Sequence, residues 1–323
     1  MLFRSENYYF LLASLKMLNK MKVTFSLFLL TVLFLMIDYE SLKNVANKIS
    51  LVVFYELLVL QTIALLLNTY KWNMFIPELR LKTLIKFNLI TFFYNIVLPG
   101  QGVGEVAKIY KMRNILPTNK IVTSVILERV FSLFTALLVC GYGLYFTDYQ
   151  YSPSLMFAVF LTIIFIAIVL WTIKVMPFES IGIVTKIFNS HLSDKINNGF
   201  LKFSKGVKCS LTFYTASMNT ILGIMAQLLN VAMVIVISKS IGLNISFVDW
   251  CWIFSIIGVA LILPISFAGL GVREGLFTIL ILQFDGNIED GIVISLTLFA
   301  IQIVFAIIGW MLDLRKLNYS FHN

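Results

Sequence analysis

Five charged residues stand in or beside apolar runs where charge is costly: Glu105, Glu128, Arg129, Arg273 and Glu274. Glu105 closes the stretch LPGQGVGE at Leu98–Glu105, and Arg273 and Glu274 lie at the end of LPISFAGLGVREG at Leu263–Gly275. Each stretch joins a proline to a cluster of glycines. Proline removes a backbone donor and glycine permits conformations that other residues resist, so both stretches should release backbone groups from helical pairing. At membrane depth such groups need protein, water or a ligand. A helix restarting after Gly102, and another after Gly271, would present free N–H groups and positive partial charge suited to a phosphate oxygen. The candidate binding set is therefore Gly100, Gly102, Gly104, Glu105, Lys108, Glu128, Arg129, Ser266, Gly269, Gly271, Arg273 and Glu274.

Glu128 and Arg129 add a third charged point. Neighbours on a helix project about 100° apart, so the two should seek different partners. The expected pairs are Arg129 with Glu105 or Glu274, and Arg273 with Glu128. A plainer reading gives the glycines to close helix packing, the prolines to kinks, and Glu128 to snorkelling, since it lies about eight residues, roughly 12 Å, from Lys120. Embedded charge coinciding with two broken helices favours one joined site, because a charge at the bilayer centre costs about 2.5–3.5 kcal/mol on insertion scales.

No nucleophile with a base, no set of metal ligands and no paired catalytic carboxylates stand out, so the reading is not an enzyme. Cys140, Cys209 and Cys251 lack CxxC spacing, and His191 and His322 lie apart. No metal or other cofactor is expected.

The elements that would carry this site follow from composition. Of 323 residues, 59% are hydrophobic and 13% charged, with mean hydropathy +0.92, more apolar surface than a water-soluble fold can bury. The class is an all-α, polytopic integral membrane protein, read as a single domain over 1–323. About six full spans are expected, at Val23–Ile37, Ser50–Asn68, Ile121–Phe146, Ser154–Ile173, Thr215–Ser238 and Gly291–Leu312. The first is read as a retained span, since Asp38, Tyr39 and Glu40 follow it. Two broken or re-entrant elements form a pseudo-repeat. In the first, Phe87–Leu98 is about 12 residues long, too short to cross, and basic residues flank it on both sides; the second runs from Val248 through the break to Phe284. Residues 178–210 form an amphipathic helical segment, placed along the cytoplasmic interface or packed on other elements.

Net charge of +9 gathers in short loops, Lys71, Arg80, Lys82 and Lys86 among them. That is the pattern of cytoplasmic anchoring, so a nucleic-acid partner is not expected and both termini are assigned to the cytoplasm of an inner-membrane protein.

LPGQGVGEVAKIYKMR at Leu98–Arg113, ILERVFSLF at Ile126–Phe134 and PISFAGLGVREG at Pro264–Gly275 resemble the successive signatures of the lysylphosphatidylglycerol synthase transmembrane-domain, or flippase-like, family. The resemblance implies a membrane fold with internal pseudo-symmetry and re-entrant helices that handles phospholipids or polyprenyl-linked lipids. By motif, the matching positions are Glu105, Glu128, Arg129, Gly269, Gly271, Arg273 and Glu274. This chain departs at Lys108, where the family often has arginine, and at Ser132, where it often has aspartate. The aminoacyl-transferase domain of the bifunctional synthases does not follow Leu312, so lipid aminoacylation is not expected. The leading expectation is a translocator of an anionic phospholipid or polyprenyl-phosphate lipid. A noncatalytic membrane partner of a glycosyltransferase or lipid synthase, and an intramembrane lipid-modifying enzyme, are the alternatives.

Overall fold

Helices begin where the sequence supplies an acceptor for their free N–H groups. Ser50 Oγ accepts from Val53 N, Thr212 and Thr215 cap one another reciprocally, and Ser246 Oγ accepts from Asp249 N. In the computed structural model, which describes residues 39–98, 102–148, 153–175, 203–262 and 269–314, these caps open three of the principal helices. In chain order the helices are α1 Tyr39–Ala46, α2 Leu51–Asn73, α3 Leu81–Val97, α4 Val103–Met112, α5 Thr118–Phe146, α6 Pro153–Val175, α7 Phe213–Ile241, α8 Phe247–Ala260, α9 Val272–Ile281 and α10 Ile288–Leu314. α7 stops at Gly242, whose φ of 95° lets Leu243 N return to Ser238 O.

Four helices, α2, α5, α7 and α10, have the length and hydropathy to cross a membrane. α6, an apolar helix of 23 residues, packs beside α5. Large apolar side chains such as Leu51, Phe157, Phe165 and Phe213 face outward, which suits a lipid environment. This is a multi-pass, all-α membrane protein. The expected first span at Val23–Ile37 lies outside the described residues.

The helices repeat in an inverted order. The end of α2 meets the beginning of α7, where Asn219 Nδ2 donates to Met74 Sδ, while the beginning of α2 meets the end of α7, where Lys48 Nζ donates to Ile241 O. These two spans are therefore antiparallel. Each precedes a short hairpin, α3–α4 or α8–α9, and each hairpin precedes a long helix, α5 or α10. The partners are exchanged: α3 packs along α10, and α8 packs along α5. Gly309 of α10 lies so close to α3 that an added Cβ would stand 2.0 Å from Leu89 O, and Gly143 of α5 would place one 2.7 Å from Trp252 N of α8.

Both hairpins are re-entrant. Gly104 of α4 returns against Thr91 and Asn95 of α3, and Gly286 after α9 touches Leu243 before α8. Glu78, just before α3, pairs with Lys120 at the beginning of α5, whereas Asp249 of α8 accepts from Thr147 at the other end of α5. The hairpins thus enter the bundle from opposite ends. This resolves the second break, which the sequence leaves open between a hairpin and two short spans.

Two details differ from expectation, and a third bears on a choice that the sequence leaves open. α3 has 17 residues rather than about 12, because it runs through Lys82 and Lys86; Leu84 and Phe87 are buried beside them, and lysine stems can lie along apolar surface while their heads reach out. Lys71 is not a loop anchor but sits in the last turn of α2, 1% exposed. Of the amphipathic segment at 178–210, residues 178–202 lie outside the described residues. Its end packs on protein: Val207 is fully buried and Gly206 lies against Thr123 of α5.

Candidate functional site

The two half-helices after the breaks are built alike. Each is 10 residues long, about 15 Å, half of what a bilayer crossing needs. Gly102 caps α4 with φ 89° and Gly271 caps α9 with φ 80°, conformations that cost an L side chain about 1–2 kcal/mol. Both helices thus start where the sequence places them, and the third residue of each is a glutamate, Glu105 or Glu274. Gly100 and Ser266 lie outside the described residues. Gly269, at φ 79°, offers its carbonyl to Arg273 N.

From this common plan the two ends diverge. At α9, Glu274 turns back on its own helix: its Oε2 accepts from Gly271 N at 2.6 Å, and its Oε1 accepts from Ser295 Oγ of α10 at 2.8 Å and from Arg273 at 3.3 Å. Arg273 Nε donates to the same Ser295 Oγ at 2.7 Å, and its guanidinium lies over the Phe299 ring. The pair is buried and internally neutral. The expected pairing of Arg273 with Glu128 does not form. A first-turn glutamate reaches toward the helix start, so the arginine beside it can meet it there, which the mid-helix separation of about 100° does not anticipate.

At α4 the charges spread across four helices. Arg129 of α5 donates to Glu105 Oε1 at 2.5 Å, one of the two pairings expected for it. Lys108, 1% exposed, has three oxygen partners: Glu105 Oε2 at 3.1 Å, Glu128 Oε2 at 3.3 Å and Asn88 Oδ1 of α3 at 3.1 Å. Its ammonium also lies 3.8 Å from the centre of the Trp72 ring of α2. Asn88 is held in turn by donating to Thr69 Oγ1, and Trp72 Nε1 donates to Ser124 Oγ. Gly104 lets α4 approach this closely: its N–H donates to Asn95 Oδ1 at 2.9 Å, and a Cβ there would stand 2.5 Å from Thr91 O.

Lys71 is a third cation at this end. It donates to Ser132 Oγ at 3.2 Å and to Asn68 Oδ1 at 3.4 Å, with no carboxylate in ion-pair range among the described residues. Ser132 stands where the family often has aspartate, so here the lysine meets a neutral hydroxyl. Sequence reasoning missed Lys71, Asn68, Asn88, Asn95 and Trp72 because they sit in or beside apolar runs without a flanking motif. The available signal was the recurrence of carboxamides inside spans.

Two adjacent cavities lie between the two ends. A cavity of about 260 Å³ is lined by Glu105, Glu128, Arg129 and Ser132; a second, of about 350 Å³, is lined by Arg273. Gln61, Asn68, Phe92 and Asn95 line both. The described residues of the three motif stretches therefore border two adjacent cavities without pairing directly across them. Arg129 is 53% exposed into this setting and uses one guanidinium nitrogen on Glu105, leaving donors toward the space.

Comparison with curated proteins and with solved structures finds no match. The family model described as the lysylphosphatidylglycerol synthase TM region matches residues 20–309, a span that takes in both hairpins, both half-helices and all five embedded charges, and the chain belongs to that family.

Proposed function

We propose that this chain moves an anionic lipid headgroup, of a phospholipid or a polyprenyl-phosphate lipid, between the leaflets of the inner membrane. The observation that carries the reading is the charge balance of the network beside the smaller cavity: Arg129, Glu105 and Glu128 line it, and Lys71 and Lys108 are buried behind that lining, three cations to two carboxylates. Three cations against two carboxylates leave an excess positive charge in a low-dielectric setting, where it favours an anion far more strongly than in water. The phosphate would sit near Arg129, whose free donors fit its oxygens, while the tails stay in the bilayer.

Hairpins entering from opposite ends around one interior support alternating access, as in carriers built from inverted repeats. Charge asymmetry supports the orientation. Arg80, Lys82, Lys86, Lys111, Arg113 and Lys120 lie at the mouth of the first hairpin against Glu78 and Asp313, whereas Asp148, Asp249, Asp285 and Asp290 lie at the mouth of the second against Lys48 and Lys239. This bias assigns the first mouth, and with it the end of α10, to the cytoplasm; a cytoplasmic amino end rests on the span expected at Val23–Ile37. The noncatalytic character of the site is part of the same reading.

Reconstitution with labelled phosphatidic acid tests it. Wild-type protein is expected to speed translocation well above protein-free vesicles, and Arg129→Gln to abolish at least nine-tenths of that gain. Equal rates for wild type and Arg129→Gln would remove the anion site from the mechanism.

A further inference from the structure

The larger cavity carries chemistry that the charged cluster does not use. Five carboxamides line it: Gln61 and Asn68 of α2, Asn95 of α3, Asn230 of α7 and Gln302 of α10. Gln61 and Gln302 sit near the middle of their spans, and these short side chains cannot snorkel from there to an interface. Asn68 accepts from Lys71 and Asn95 from Gly104 N, but Gln61, Asn230 and Gln302 have no hydrogen-bond partner among the described residues. Each offers one acceptor and two donors. Four helices from both repeats bring these groups to one place at mid-depth, where unpaired amides are strongly disfavoured.

The character of the cavity narrows what would satisfy them. Among the described residues no carboxylate lines it, so it lacks a counter-charge for an amine headgroup. The one cation among its described lining residues, Arg273, is already neutralised by Glu274, so it is not where a phosphate gains most. What remains is neutral and able both to donate and to accept at several adjacent points, with the aromatic faces of Phe92 and Phe254 between them. Vicinal hydroxyl groups have this complementarity: each O–H both donates and accepts, and the C–H edges of a ring or polyol pack on aromatic surface. At about 350 Å³ the space falls within the range of small-molecule sites.

We infer that the larger cavity receives a polyhydroxylated headgroup, a sugar or cyclic polyol, joined to the phosphate that lies in the smaller cavity near Arg129. This rests on the lipid-translocation reading and names the lipid class within it. Gln61, Asn68 and Asn95, common to both cavities, form their shared wall, where phosphate and polyol would join.

Native mass spectrometry on the purified full chain tests it with three probes: phosphatidylinositol and phosphatidic acid with identical acyl chains, and soluble inositol 1-phosphate. Phosphatidylinositol is expected to bind at least tenfold more tightly than phosphatidic acid, since a site built to hydrogen-bond hydroxyls discriminates against a ligand lacking them. Asn230→Leu with Gln302→Leu, neither of which lines the smaller cavity, should lower phosphatidylinositol binding by tenfold or more and leave phosphatidic acid unchanged. Each single variant should shift the same preference in the same direction. Leucine suits mid-membrane positions, and an unaltered melting temperature verifies that the variants fold. Equal binding of the two lipids, unaffected by the leucines, overturns the polyol site while phosphatidic acid binding leaves the translocation reading intact. Binding of neither lipid, with no translocation in vesicles, overturns both. Tight inositol 1-phosphate binding that needs no acyl chain upholds the polyol cavity and overturns the lipid as its source.

Discussion

Lys108 shows how much one side chain can hold in place at membrane depth. It joins α4 to α3 through Asn88, to α5 through Glu128 and to α2 through the Trp72 ring, while also meeting Glu105 one turn before it. Breaking a buried ion pair on one side leaves an uncompensated charge, at a cost of about 3–5 kcal/mol. Lys108→Met is therefore expected to lower the unfolding temperature in detergent sharply, and adding Glu128→Gln should recover part of the loss by removing one stranded charge. No recovery would mean that Lys108 acts mainly through its contact with Trp72. Glu274→Ala is expected to destabilise as well, since it removes the cap on Gly271 N and strands Arg273, and Glu274→Gln should be milder because an amide oxygen can still accept from Gly271 N. The sequence made Glu105, Glu128, Arg129, Arg273 and Glu274 legible because charge in apolar runs has few explanations. Lys71 and the carboxamides were not legible. Lys71 follows an apolar run directly and resembles a loop anchor, and neutral amides carry too small an insertion penalty to stand out singly.

At the scale of elements, the breaks were legible and the lengths were not. Proline and glycine mark where backbone pairing fails, and both half-helices start where those residues permit. Counting apolar residues stopped at Lys86, but α3 continues through it because Leu84, Phe87 and Ile90 already give it a buried face. The exchanged packing of the repeats leaves its own trace in glycine, legible only once partners are known. An alanine at Gly309 would put Cβ 2.0 Å from Leu89 O, and at Gly143 2.7 Å from Trp252 N; both contacts are with backbone, which cannot swing aside. Gly309→Ala and Gly143→Ala are each expected to cost about 1–3 kcal/mol or more, the range of overpacked interiors. Gly275→Ala is the control within the same fold, because nothing lies within 4 Å of its Cβ position. Alanine should there be neutral or stabilise α9 by up to about 1 kcal/mol. Thermal unfolding of the three variants in one detergent checks the order, and a Gly275→Ala loss as large as that of Gly309→Ala would break the argument.

For the whole molecule, the decisive feature is that two chemically unlike ends share one inverted plan. Glu274 spends both oxygens on its own neighbourhood, while Glu105 shares its oxygens between Lys108 and Arg129. On the translocation reading proposed above, a symmetric scaffold rocks between its two hairpins while only one half-helix offers the headgroup charges shared across helices. This requires the mouths of the hairpins to open on opposite sides of the membrane, which can be measured directly. Lys82, near the first mouth, and Asn287, near the second, are both exposed. With Cys140, Cys209 and Cys251 replaced by serine, Lys82→Cys and Asn287→Cys each give a single reactive thiol. A membrane-impermeant maleimide added to right-side-out cells is expected to label Asn287→Cys and spare Lys82→Cys, and inverted vesicles should reverse the pattern. Labelling of both positions from one side would contradict opposed hairpins, and with them any alternating-access cycle built on the repeat. The reversed assignment, Lys82→Cys labelled from outside, would keep the fold and turn the protein over in the membrane, overruling the basic residues at the first mouth as the orientation signal.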